Sequence, residues 1–145
     1  MLKRDLKKKV KILETLPQKK TKNMSFIDDY DDGKIHIICE ACYNIVNKKI
    51  PLEKKKENKL KKGLMKIHKE VRQLANPKLI LKTKRKILKT SQVGSGIFTA
   101  LATIVVPALL SLLAKKRVKI YSIFLILNLS YFHKIQEQSL INTLI

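Results

Sequence analysis

The sequence predicts an all-α protein. Apolar residues recur at intervals of three and four along the first half of the chain, the spacing of a helix face. No stretch alternates apolar and polar residues with period two. No Asn-Gly or Asp-Gly pair sits between two such alternating runs, so the hairpin signal is missing too. The expected architecture is three amphipathic helices plus a short basic helix, then a long apolar helix and an irregular or helical C-terminal tail.

Leu2, Leu6, Val10 and Leu13 follow at steps of four, four and three, which keeps one face apolar, and Pro17 closes this first helix. Ser25-Phe26-Ile27-Asp28 has the form of a capping box, and Gly33 is expected to interrupt or delay the helix that follows. From Ile35 to Ile50, residues Ile38, Cys39, Cys42, Ile45 and Val46 form a second helical face, ended by Pro51. Leu60, Leu64, Ile67, Val71 and Leu74 repeat at four, three, four, three and define the third helix. Asn76-Pro77 has the form of an N-cap followed by Pro at the first helical position, predicting a short basic helix over KLILKTKRKILKT. Three narrow apolar faces make a small core, of marginal stability unless a partner or oligomer completes it.

Charge divides the chain. Residues 1–90 read as a basic helical domain, 91–96 as a Gly/Ser hinge, 97–114 as an apolar helix and 115–145 as a tail. The tail is rich in Ile, Leu, Ser, Asn and Lys, as translated AT-rich DNA would be, so it is either a read-through extension or a second short apolar helix at 120–132. With 32 Lys+Arg against 11 Asp+Glu in 145 residues, the formal net charge is +21, an excess that attracts polyanions. Four of the basic residues are arginine, so point-charge neutralisation of phosphate is favoured over bidentate base reading. There is no Trp, and stacking platforms for single-stranded nucleic acid are scarce. The two cysteines give no disulfide framework, which suits a reducing setting, and the N-terminus lacks the apolar core of a secretory signal.

The basic region is the strongest chemical signal. Lys54, Lys55, Lys56, Lys59, Lys61, Lys62, Lys66, Lys69 and Arg72, followed by Lys82, Lys84, Arg85, Lys86 and Lys89, offer a wide cationic face for duplex DNA. Such contacts release counterions, so affinity should be salt-dependent and indifferent to sequence. The plain alternative is a solvated face.

Other motifs carry less. Cys39-Glu-Ala-Cys42 lies inside a predicted helix, with only His36 and His68 to add zinc ligands, so core packing is the expected role. Asp28 to Gly33 resembles the start of a calcium loop. Counting from Asp28, however, Tyr30 and Cys39 fall where oxygen ligands are required. An acidic cluster near a helix start, able to pair with the lysine blocks, is the alternative. No nucleophile elbow, phosphate-binding loop or metalloprotease motif occurs, so a non-enzyme is expected, with no cofactor and no metal.

Residues 96–114 hold no charge. Ile97, Phe98, Leu101, Ile104, Val105, Val106, Pro107, Leu109, Leu110, Leu112 and Leu113 make this stretch long and apolar enough for a membrane segment, kinked at Pro107. The more basic upstream flank would keep the N-terminal side cytoplasmic. Two other roles fit the same residues: a buried core helix packed by the amphipathic ones, and a docking peptide.

The order CEACYNIVNKKIPL, then KIHKEVRQLANP, then KRKILKTSQVGSGIF and an apolar run resembles a protein family encoded by Maverick/Polinton elements and adintoviruses. The basic-then-apolar layout is also similar to the precursor of the adenovirus core protein X, or mu. The resemblance covers roughly residues 35–114 and implies a small virion component that condenses DNA and carries an apolar C-terminal peptide. It also implies a maturation-protease site: Gln92, Gly94, Ser95 and Gly96 fit the adenoviral pattern, with cleavage after Ser95. A Gly-Ser hinge opening a helix is the other account of these residues. The chain departs from mu in being lysine-rich rather than arginine-rich.

Two functions therefore stand as expectations. One is a virion core-like protein that binds double-stranded DNA and docks on anionic membrane or capsid proteins, located in the virion and host nucleus. The other is a small integral membrane protein with a basic cytoplasmic domain.

Overall fold

The computed structural model describes residues 2–17, 22–114, 131 and 134–138. Helix α1 (Leu2–Glu14) is followed by a 3-10 turn (Ser25–Asp29), α2 (Asp32–Val46) and α3 (Lys54–Leu64). A second 3-10 turn (Met65–Ile67) joins α3 to α4 (His68–Ala75). Then come α5 (Leu81–Lys89), α6 (Ser91–Ala100), a π turn (Leu101–Val105) and α7 (Val106–Ala114). The fold is all-α, with no strand among the described residues.

Helix α2 is the hub, packing on α1, α4 and α5. Ile35, Ile38, Cys39 and Cys42 on α2 meet Leu74, Leu88, Ile97, Leu101 and Val105 in a fully buried centre. Burying each large aliphatic side chain contributes about 1.5–3 kcal/mol. Lys9 on α1 reaches both carboxylate oxygens of Glu40 on α2 at 3.1 Å. Burial pushes the Glu40 carboxyl up, and the adjacent Lys9 charge pulls it back down.

Several local expectations are corrected by backbone chemistry. Ser25 caps nothing: it opens a 3-10 turn, and its own N–H donates to Asn23 Oδ1 at 3.0 Å. The cap of α2 is Asp31, whose Oδ1 accepts from the Lys34 N–H at 2.7 Å, and Gly33 lies within the first turn rather than delaying it. Asn76 ends α4 instead of starting a helix. Its Oδ1 accepts from the Lys78 N–H at 3.0 Å, an Asx turn that holds Pro77 outside any helix, so α5 begins at Leu81. The third predicted helix breaks at Met65–Ile67 into an elbow.

The end of α2 is a Schellman turn. The Lys49 N–H donates to Asn44 O at 2.9 Å and the Lys48 N–H to Ile45 O at 3.1 Å. Lys48 therefore sits at φ 52°, where glycine is the usual occupant. Lys48→Gly is expected to raise stability by about 0.5–1 kcal/mol, measured by chemical denaturation. An unchanged midpoint would mean that the left-handed conformation is not retained.

The segment 91–96, expected as a hinge, is the first turn and a half of α6. Its small residues let helices approach. A Cβ on Gly94 would collide with the Leu88 carbonyl oxygen and lie 2.5 Å from Met24 Cε, and one on Gly96 would lie 2.9 Å from Ile67 Cδ1. From Ser91 to Ala114 the chain runs as one apolar helical stretch of 24 residues, long enough to cross a bilayer. In this fold it is mostly a core element. Ile97, Phe98, Leu101, Ile104, Val105, Val106 and Leu109 are buried, Leu112 and Leu113 half-buried, and Pro107 and Leu110 exposed. Its π turn has an identifiable cause. Pro107 has no N–H and crowds the preceding carbonyls, and the Val106 N–H bonds Leu101 O, five residues back. Thr99 and Thr103 hydroxyls donate to Ser95 O and Thr99 O at 2.8 and 2.7 Å, a pattern that bends helices.

Most of the predicted tail, including the short apolar helix at 120–132, lies outside the described residues. Tyr131 does not: it is buried, its ring 5.3 Å from that of Tyr43 on α2.

Candidate nucleic-acid interface

The α3–α4 elbow presents opposite chemistries on its two sides. Leu60, Leu64, Ile67, Val71 and Leu74 turn inward and are buried. Lys55, Lys59, Lys62, Lys66 and Lys69 repeat at the same steps of four, three, four and three, displaced to the outer side, and all are exposed. Lys54, Lys56, Lys61 and Arg72 are exposed beside them. Glu57 lies 3.4 Å from Lys61, an i,i+4 pair open to solvent. Nine basic residues against Glu57 and Glu70 over 54–75 leave a strongly cationic surface.

Helix α5, which packs beside α4, contributes less than its composition predicts. Lys82 and Lys86 are exposed. Arg85 donates to Asp32 Oδ1 at 2.7 Å and to Ile27 O at 3.1 Å, fastening the 3-10 turn and the start of α2. Lys89 pairs with Asp28 at 2.8 Å. These two cations are therefore engaged by the acidic cluster of residues 28–32, Arg85 half-buried and Lys89 in a pair open to solvent.

Lys84 is the clear misassignment: it is 2% exposed. Leu81, Lys84 and Leu88 share the inward face of α5, so the amine is carried into the core. Its Nζ stands 6.0 Å from the centre of the Tyr131 ring, and no carboxylate lies within ion-pair range among the described residues. Burial holds the Lys84 amine below the ordinary lysine value, with the nearby Cys39 and Cys42 acting in the opposite sense. Burial also pushes the Cys39 thiol up to about 11 and raises the Cys42 thiol well above its ordinary value, so neither is a ready nucleophile. His36 is pulled down by burial and then by Lys84. Among the described residues no three His, Cys, Asp or Glu side chains converge to hold a metal ion.

Gln92, Gly94, Ser95 and Gly96 are helical, with Gly94 and Ser95 buried. The Ser95–Gly96 bond is thus not the exposed extended segment that proteases prefer.

Sequence reasoning also passed over exposed cations. Lys7, Lys8 and Lys11 on α1 all face solvent. The signal was available, since each of the α1 lysines lies off the Leu6–Val10–Leu13 stripe.

No protein-family model, curated protein or solved structure matches this chain.

Proposed function

We propose that the protein binds double-stranded DNA through the phosphate backbone, without reading bases. The observation that carries this is the exposed row Lys55, Lys59, Lys62, Lys66 and Lys69 on the outer side of the α3–α4 elbow. Two carboxylates of the acidic cluster, Asp32 and Asp28, are paired with Arg85 and Lys89 rather than with this row. Lysine point charges at helical spacing suit non-specific neutralisation of phosphate. This is the use to which a DNA-condensing virion component, of the kind the Maverick/Polinton resemblance implies, would put them.

The test is a salt series with two unrelated duplexes, followed by fluorescence anisotropy. Both should bind alike, and log K should fall linearly with log salt. Combined Lys55→Ala, Lys59→Ala and Lys62→Ala should flatten the slope by about 2–3 units, roughly one per phosphate contact. Equal retention at low and high salt would reject the proposal.

A further inference from the structure

A groove of about 610 Å³ opens between the end of α2, the connection 47–53 and the α3–α4 elbow. Its floor is apolar, formed by Ile45, Ile50, Leu52, Leu60, Leu64 and Val71. Four large hydrophobic side chains are exposed among the described residues, and two of them, Met65 at 67% and Val46 at 39%, border this groove. Exposed apolar surface concentrated at a concavity marks a binding surface. Methionine adapts its shape readily to an apolar partner.

The rim is cationic. Lys48, Lys61 and Arg72 line it beside His68, against the single carboxylate of Glu57, which pairs with Lys61. Lys48 holds a left-handed backbone position that favours glycine. A costly conformation is thus kept with a charged side chain at the groove, the kind of local strain found at ligand-binding sites.

We infer that this groove receives an acidic amphipathic helix from a partner protein. An apolar trough open to solvent fits a helix, which lays a few apolar side chains on the floor and keeps its polar back in water. A lone acyl chain would leave one side wet, whereas small-molecule sites enclose most of their ligand. The sign of the rim selects acidic flanks. A second copy of this chain is a poor occupant, because its amphipathic helices α1 and α3 are rich in lysine and would bring like charge to the rim.

The inference goes beyond DNA binding and does not rest on it: the groove shares Lys61 and Arg72 with the cationic surface, but none of the row Lys55, Lys59, Lys62, Lys66 and Lys69 lines it. The full chain is titrated with two labelled peptides of about sixteen residues and identical Leu, Ala and Glu content. One carries its leucines at i, i+3, i+4 and i+7, and the other scatters them. The first should bind about tenfold or more tightly than the second. Met65→Ala and Met65→Glu, with helicity checked by circular dichroism, should abolish that preference. Lys55→Glu should weaken both peptides alike and leave their ratio unchanged. Equal affinities for the two peptides in the parent chain would overturn the inference, as would a preference that survives both Met65 variants. Monomeric oleate saturating a single site lost in Met65→Glu, with no preference between peptides, would overturn it in favour of a lipid.

Discussion

Gly94→Ala is expected to destabilise the fold by about 2–3 kcal/mol, lowering the melting temperature by roughly 10 °C. The added methyl meets the Leu88 carbonyl oxygen and Met24 Cε. The side chain of Met24 can move, but the carbonyl cannot without pulling α5 and α6 apart. Those helices are joined only by Thr90, and the Gly94 N–H bonds Thr90 O at 2.9 Å, so there is no slack in the connection. Gly63→Ala is the internal comparison. Gly63 is exposed in α3, an added Cβ meets nothing within 4 Å, and the change should stabilise by about 1 kcal/mol. Thermal melts of both variants decide the matter. A neutral Gly94→Ala would mean that 91–96 is a loose hinge after all.

Lys84→Met should stabilise the protein by about 1–3 kcal/mol, because a buried amine without a carboxylate partner is exchanged for an apolar side chain of similar volume. The pH dependence has a definite sign. Burial depresses the folded-state value, so between that value and 10.5 the unfolded chain binds more protons at this site. The penalty carried by Lys84 is therefore full below the depressed value and fades as pH rises toward 10.5. The advantage of Lys84→Met should shrink over the same window. DNA affinity should not fall, unlike in the Lys55, Lys59 and Lys62 variant. A loss of affinity with unchanged stability would place Lys84 on the surface.

The elements were legible where the hydrophobic period is long. Leu6, Val10 and Leu13 lie inward as expected, as do Leu60, Leu64, Ile67, Val71 and Leu74, since burial of a periodic stripe is local arithmetic. Cys39 and Cys42 read correctly as buried residues for the same reason. The ends of helices were less legible. Asp31 and Asn76 both act through side-chain oxygens, but which backbone N–H each one meets depends on where the chain turns next.

The cationic face is smaller than composition implies for a different reason. Lys84 occupies a position that helical spacing assigns to the core, where its register outweighs its charge. The pairing of Arg85 with Asp32 and Lys89 with Asp28 spans more than fifty residues, which no local pattern encodes.

An all-helical chain, its amphipathic faces and its cationic excess follow from residue type and spacing along the chain alone. That Gly94-Ser95-Gly96 is a helix crossing, that the long apolar helix is clothed by the basic ones, and that a cationic-rimmed groove borders the elbow emerge from the packing of the fold. Each of these depends on which surfaces meet across the fold, and close approach between distant segments leaves no periodic trace in the sequence.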